Sequence, residues 1–435
     1  MAQVAPMQVA VVLLAGLSLA LYLFKRRSGR IDGAAPVALF AGLAVVTALS
    51  SVWSISPDET IEETARTFTY LAVFAMAVMA AHVRPRAAPA VAIGVLLAGV
   101  AICGWALITR IFPATLAENV LGARLGEPFG YWNALGGVAV TALPAALWLG
   151  SRRTGRGVAT ALAYPATGIL LLTLLLTQSR GGLAAAVAVA VLWLAIVPLR
   201  LRSVLVLALP ALAVAPLASW ALSKTAFTET LQPLAARETV AGDFGLMVLA
   251  LCTGLTITGL VVQALRSRRA PSLPERRRAG LGLAGLACLC ALVALGAVAL
   301  SDRSLLGTIS DTFSNLTSEE TSTPRGAARL GSVSSSRAAY WRQAWEVFEE
   351  EPVIGRGANS FGIARLPYRR EGRPADQAHG YLVQTLADLG LLGGAIVLAL
   401  LAAWLAAAGR ATGVLPRRRA RAPESTERGA LVALA

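Results

Sequence analysis

Charged residues are scarce in this chain of 435 residues, at 14%, against about 25% in an average soluble domain. Lysine occurs only at Lys25 and Lys224, so nearly all of the 39 basic residues are arginine. Histidine occurs only at His82 and His379, which leaves no His-x-x-x-His metal pair. No glycine-rich loop ends in Lys-Ser or Lys-Thr, which argues against a nucleotide-driven pump. There is no Asp-x-Asp pair of the kind that holds a divalent ion against a diphosphate. If the chain handles phosphates, arginines must hold them. The four cysteines, Cys103, Cys252, Cys288 and Cys290, all lie in apolar runs. Cys288 and Cys290 point roughly 200° apart on a helix, so they read as small buried hydrophobes and imply no disulfide framework.

Apolar sequence is what the chain has in plenty. Hydrophobic residues make up 56% and the mean hydropathy is +0.65. Runs long enough to span a bilayer, about 20 residues each, fall near 7–24, 34–52, 64–82, 89–112, 131–150, 158–177, 183–199, 203–223, 244–265, 280–301 and 380–409. A twelfth begins at Gly429, and the expectation is that the chain continues beyond Ala435. The fold class is therefore all-α, a polytopic membrane helix bundle of about 11 complete spans plus a truncated twelfth.

The net charge of +15 sits in short clusters between apolar runs, so it reports membrane topology instead of nucleic-acid binding. Lys25, Arg26 and Arg27 follow the first run and do not precede it, as they would in a signal peptide. With the N-terminus outside, the inner connections hold 23 Lys and Arg and the short outer ones hold six: Arg66, Arg110, Arg124, Arg180, Lys224 and Arg237. The alternation assigns residues 1–301 to transmembrane helices 1–10 and 302–378 to a large extracytoplasmic loop. Residues 379–435 then carry a late span, a basic cytoplasmic loop and the start of a further span. Within the loop, about 308–336 is Ser/Thr-rich and reads as flexible. An amphipathic helix is expected near 336–351, capped by Ser334, Ser335 or Ser336 and stopped by Pro352. Tyr340, Trp341, Ala344, Trp345 and Phe348 recur at helical spacing on it. That face suits either a membrane interface or the loop's own core.

Four arginines could hold an anion. Arg180 lies in TQSRGG (177–182) between two apolar runs, where an unpaired guanidinium is costly. Gly181 and Gly182 let the backbone bend and offer N–H groups beside it. Arg337 opens the amphipathic helix and Arg342 lies on it, while Arg356 sits in the Pro- and Gly-punctuated EPVIGRGANSFG (351–362). For Arg180 the alternative is an arginine snorkelling to lipid headgroups, and for Arg337, Arg342 and Arg356 a solvated surface arginine is the default reading. His379, the sole outer histidine, could accept a proton from a hydroxyl near neutral pH. Asp388 is nine residues on, about 13 Å deeper on a regular helix and on the opposite face. It reads as a structural carboxylate or an arginine partner.

These stretches together resemble the bacterial O-antigen ligase and polymerase superfamily, the WaaL- and Wzy-like membrane glycosyltransferases. The resemblance runs in order through SSVWSISPDETIEETARTFTYLAVF (50–74), FGYWNALGG (129–137), TQSRGG (177–182), SRAAYWRQAWEVFEEEPVIGRGANSFG (336–362) and AHGYLVQTLADLGLLGG (378–394). Gly380 stands where that family commonly has Asn, and Asp388 where it has Glu. The resemblance implies metal-independent, inverting transfer of a glycan from undecaprenyl pyrophosphate at the extracytoplasmic face of the cell membrane. By that resemblance Arg180 and Arg337 would hold the pyrophosphate and His379 would act on the acceptor hydroxyl; Arg356 is a further candidate for the pyrophosphate from its place in the 351–362 turn. Trp341, Asp388, Gly181 and Gly182 would support them. Implied partners are the lipid-linked donor, a glycan, lipid or protein acceptor, and membrane lipids, with no nucleic acid, cofactor or metal. Ligase, polymerase and protein O-glycosyltransferase differ only in acceptor, which no motif reports. A transporter or flippase of lipid-linked sugars is the reading from another class, but it should show paired repeats with broken helices.

Overall fold

The computed structural model describes residues 33–83, 87–118, 122–152, 157–197, 200–268, 337–370, 375–415 and 425–434, together with single residues between 8 and 16. Its longer helices are α1 Ala34–Leu49, α2 Pro57–Val83, α3 Ala88–Ile111, α4 Trp132–Ser151, α5 Ala163–Leu176, α6 Arg180–Ile196, α7 Arg200–Leu222, α8 Leu234–Arg268, α9 Arg337–Glu350, α10 Tyr381–Thr412 and α11 Ser425–Leu434. The described residues contain no strand. The protein is an all-α polytopic membrane protein, as its composition requires. Eight helices among the described residues are long and apolar enough to cross a membrane, and α6 is a shorter apolar one. They coincide with the runs read between 34 and 265 and at 380–409. The runs at 7–24 and 280–301, the Ser/Thr-rich stretch, Cys288, Cys290 and the serine cap of α9 lie outside the described residues.

The chain divides into two compact units. One holds α1, α2, α9 and α10. Here α1 packs on α2 and α10, and α9 packs on α10. The other holds α3 to α8 and α11. Its centre is α4, against which α3, α5, α6 and α7 all pack. A helix that is apolar all round must be buried all round, and Leu135, Leu143 and Leu147 of α4 are almost wholly inaccessible. Pro144 in α4 and Pro210 and Pro216 in α7 are tolerated because neighbouring helices can satisfy the backbone groups a proline frees. Arg110 and Arg237, counted above as outer arginines, are buried and fold a loop of this unit. Arg110 donates to the carbonyls of Gly122 (3.2 Å), Ala123 (3.2 Å) and Arg124 (3.1 Å), and Arg237 to those of Ala117 (2.7 Å) and Glu118 (2.6 Å).

Candidate functional site

In the first unit, α9 presents Tyr340, Ala344 and Val347 to a small core completed by Phe361, Ala364, Ala378 and Ala387. Trp341 and Trp345, which share the helical spacing, are instead 45% and 49% exposed. The expected single face is thus two: one packs on the loop's own core and the other carries the tryptophans outward. Beneath Tyr340 lies Arg365, fully buried, donating to Gln343 Oε1 at 2.7 Å, with its guanidinium carbon 5.4 Å from the Tyr340 ring centre.

The turn that follows α9 is threaded into α10. Helix α10 is broken at Gly390 (φ 61°, ψ −159°), and the chain at 352–357 pairs with the opened backbone. Arg356 and Gly357 donate to the carbonyls of Ala387 (3.1 Å) and Asp388 (2.8 Å), and Leu391 and Leu392 donate to those of Pro352 (2.8 Å) and Val353 (3.2 Å). Asp388 supplies the side-chain part of this junction. Its Oδ2 accepts from the Asn359 N–H and its Oδ1 from the Phe361 N–H, each at 3.1 Å, and Gln384 donates to Oδ2 at 3.4 Å. These partners, two backbone amides and a glutamine, are those of a carboxylate that holds a fold together.

The early motif around residue 55 meets the same turn. Thr60 donates to the Ala358 carbonyl (2.7 Å), Ala358 N–H to Ser50 Oγ (3.1 Å), Ile55 N–H to the Arg356 carbonyl (3.1 Å), and Asn359 Nδ2 to Glu59 (3.0 Å). Three stretches far apart in sequence, 50–60, 351–362 and 378–391, therefore form one hydrogen-bonded body.

His379 stands at its margin, ahead of α10. It is exposed, its backbone is left-handed (φ 54°), and its ring lies 5.9 Å from that of Tyr340. A left-handed non-glycine is a strained placement that such a body can enforce. Partial burial of its ring against its neighbours and, after that, the positive charge of Arg337 hold its pKa below the ordinary 6.5. At pH 7 the imidazole is therefore neutral, as a proton acceptor must be. Arg337, at the first turn of α9, is exposed. Arg356 is engaged by Glu350 (2.5 Å), to which the Tyr368 hydroxyl also donates. The Tyr368 hydrogen bond and, after it, the Arg356 one hold the Glu350 carboxyl below the usual range, and the bond to Glu350 pushes the Tyr368 phenol up to about 12.

In the second unit, TQSRGG forms the sharp turn between α5 and α6. Gln178 is left-handed (φ 49°), and Ser179 caps α6 by accepting the Gly182 N–H at 3.2 Å. That amide is thus already committed to the cap, while Gly181 faces open space. Arg180 is the first residue of the helix and half-buried. The FGYWNALGG stretch supports the turn, since Ser179 donates to Asn133 Oδ1 at 2.7 Å. Arg124 lies 4.2 Å from the Trp132 ring centre and donates to the Thr177 (2.8 Å) and Gln178 (3.0 Å) carbonyls. The sequence reading named neither Asn133 nor Arg124 for a role here. Only their spacing from an aromatic pair in a polar-rich loop could have signalled it.

The structure therefore gathers Arg337, Trp341, Arg356, His379 and Asp388 in the first unit, and Arg180, Gly181 and Gly182 at one turn of the second. Among the described residues no three His, Cys, Asp or Glu side chains gather as a metal site would need. No curated protein and no solved structure matches the chain. Residues 244–398, from α8 to within α10, match the family model described as O-antigen ligase. That stretch contains Arg337, Trp341, the 351–362 turn, His379 and Asp388, and the match supports a likeness of this part of the chain to the O-antigen ligase/polymerase superfamily.

Proposed function

We propose that the protein transfers a glycan from undecaprenyl pyrophosphate to an acceptor hydroxyl at the extracytoplasmic face of the cytoplasmic membrane. The O-antigen ligase domain supports the coarser statement, a ligase- or polymerase-like role in surface polysaccharide assembly. The observation that carries the finer one is His379: exposed, neutral at pH 7, and fixed by Tyr340 with Arg337 close enough for its charge to be felt.

In the reaction, an acceptor oxygen attacks the anomeric carbon from the face opposite the pyrophosphate. The new C–O bond forms as the bond from that carbon to the phosphate oxygen breaks, and the configuration inverts. His379 takes the acceptor proton. The pyrophosphate leaves with the bonding electron pair, and arginine stabilises its added charge in place of a divalent ion. Arg337 is assigned to that task by its place beside His379. Arg180 is assigned to it by the family resemblance and by its place at a helix N-terminus, where an anion is favoured.

The test is turnover in liposomes with labelled undecaprenyl-pyrophosphate oligosaccharide and candidate acceptors, without added metal. Label should move to an acceptor with the wild type. Arg180→Ala should lower turnover by about 10²–10³, and His379→Ala by about 10²–10⁴, with insertion and folding intact. Product still on polyprenyl and longer identifies a polymerase; product off polyprenyl identifies a ligase. Label that crosses the bilayer without transfer would overturn the proposal in favour of a transporter.

A further inference from the structure

Trp341 has no part in the bond-making steps above, yet its placement is specific. Its indole lies across the backbone of Gly380, so that a Cβ at position 380 would stand 2.6 Å from Nε1 and 3.2 Å from Cδ1 and Cε2. Gly380 has φ −146° and ψ 106°, extended backbone that any residue can adopt. Any side chain there would have to push the indole aside, so the bare glycine lets the ring sit close to the chain beside His379. The ring so seated is 45% exposed. On one side of Gly380 is exposed His379, and on the other is Tyr381, 70% exposed. The indole thus offers a flat apolar face to a ligand directly beside the candidate base.

We propose that Trp341 is a stacking platform for a pyranose ring of the acceptor, which it holds with a hydroxyl directed at His379. A pyranose presents an apolar face of C–H groups, positively polarised at hydrogen, which complements the negative face of an indole. Its equatorial hydroxyls remain at the ring edge, where one of them can reach the imidazole. The other exposed tryptophan of α9 differs: the Trp345 Nε1–H is committed to Glu349 at 2.7 Å and its ring packs on Phe348. A membrane-interface anchor would need no fitted glycine and no histidine beside it. The proposal rests on the glycosyltransferase reading for its acceptor but not for sugar binding itself.

The experiment uses the full chain in detergent micelles and the methyl glycosides of glucose, galactose and N-acetylglucosamine as probes, read by saturation-transfer NMR. At least one glycoside should receive saturation on its C–H face. Trp341→Phe, which keeps a ring, should retain it, and Trp341→Ala should weaken binding roughly tenfold or more. Gly380→Ala serves as a second variant, because its methyl displaces the indole without removing it; it should weaken binding similarly. No saturation of any glycoside, or equal saturation with Trp341→Ala, overturns the platform. So does a 5-fluorotryptophan signal, assigned through Trp341→Phe, that responds to exchange of micelles for lipid nanodiscs and to no glycoside. Glycoside binding without glycan transfer leaves the platform standing and removes the transferase reading; transfer without glycoside binding does the reverse.

Discussion

The imidazole of His379 meets the ring of Tyr340 at 54°, centre to centre 5.9 Å, and Tyr340 is itself pinned by the buried Arg365. The candidate base is thus packed on a phenol ring that itself lies over a buried cation, and the histidine as a whole stays exposed. With its pKa held below 6.5 by burial first and Arg337 second, kcat/KM should rise with pH through a value below 6.5 and be level at neutrality. A pH–rate profile whose acidic limb lies above 7 would remove His379 from this role.

The Arg337 contribution can be isolated. Replacing a nearby positive charge by a neutral group makes protonation of the imidazole easier, so Arg337→Gln should raise the His379 pKa and move the acidic limb to higher pH. It should also lower kcat, because the pyrophosphate loses a stabilising charge. A lower kcat with an unmoved limb would separate the two residues electrostatically.

Asp388 tests whether the broken helix is a rigid support. Asp388→Ala leaves the Asn359 and Phe361 amides without their acceptors, at about 1–3 kcal/mol for each buried group. It should lower the unfolding temperature of the purified protein more than Asp388→Asn, which keeps one carbonyl oxygen. Gly390→Ala should be severe as well, since φ 61° with ψ −159° is a conformation essentially confined to glycine. A methyl there would also meet the backbone of Val353 and Ile354. Unchanged thermal unfolding in both Asp388→Ala and Gly390→Ala would mean that the junction supports nothing.

Apolar run length alone located the spans that the structure describes, because a bilayer imposes that length locally. The site was legible in part, and for a physical reason. Arg180, Arg337 and His379 stand out because charge is rare in such a chain. The junction was hidden because its bonds join residues about 300 apart, such as Thr60 with Ala358, and no periodicity reports them. Gly390 sits in an apolar run that reads as continuous helix, so its break was invisible. Arg365 looked like one loop arginine among ten, and only packing distinguishes it. Trp341 and Trp345 were placed with Tyr340 because spacing of three to five residues groups a wide arc of a helix, of which the core takes only one part.

Ser179 offers the last test, at the turn that carries Arg180. Its hydroxyl both accepts the Gly182 N–H and donates to Asn133, so it fixes the first turn of α6 and ties it to α4. Ser179→Ala removes both bonds and should cost about 1 kcal/mol of stability, the usual worth of an N-cap. If its purpose is to aim Arg180, the loss in turnover should exceed the loss in stability, with a higher donor KM and an acceptor KM left alone. Ser179→Thr keeps the hydroxyl and should restore most of the activity, whereas Asn133→Ala should share the donor defect in milder form. Should Ser179→Ala reduce only the unfolding temperature and leave donor kinetics as in the wild type, the cap would be a device of the fold, and Arg180 would reach its ligand without it.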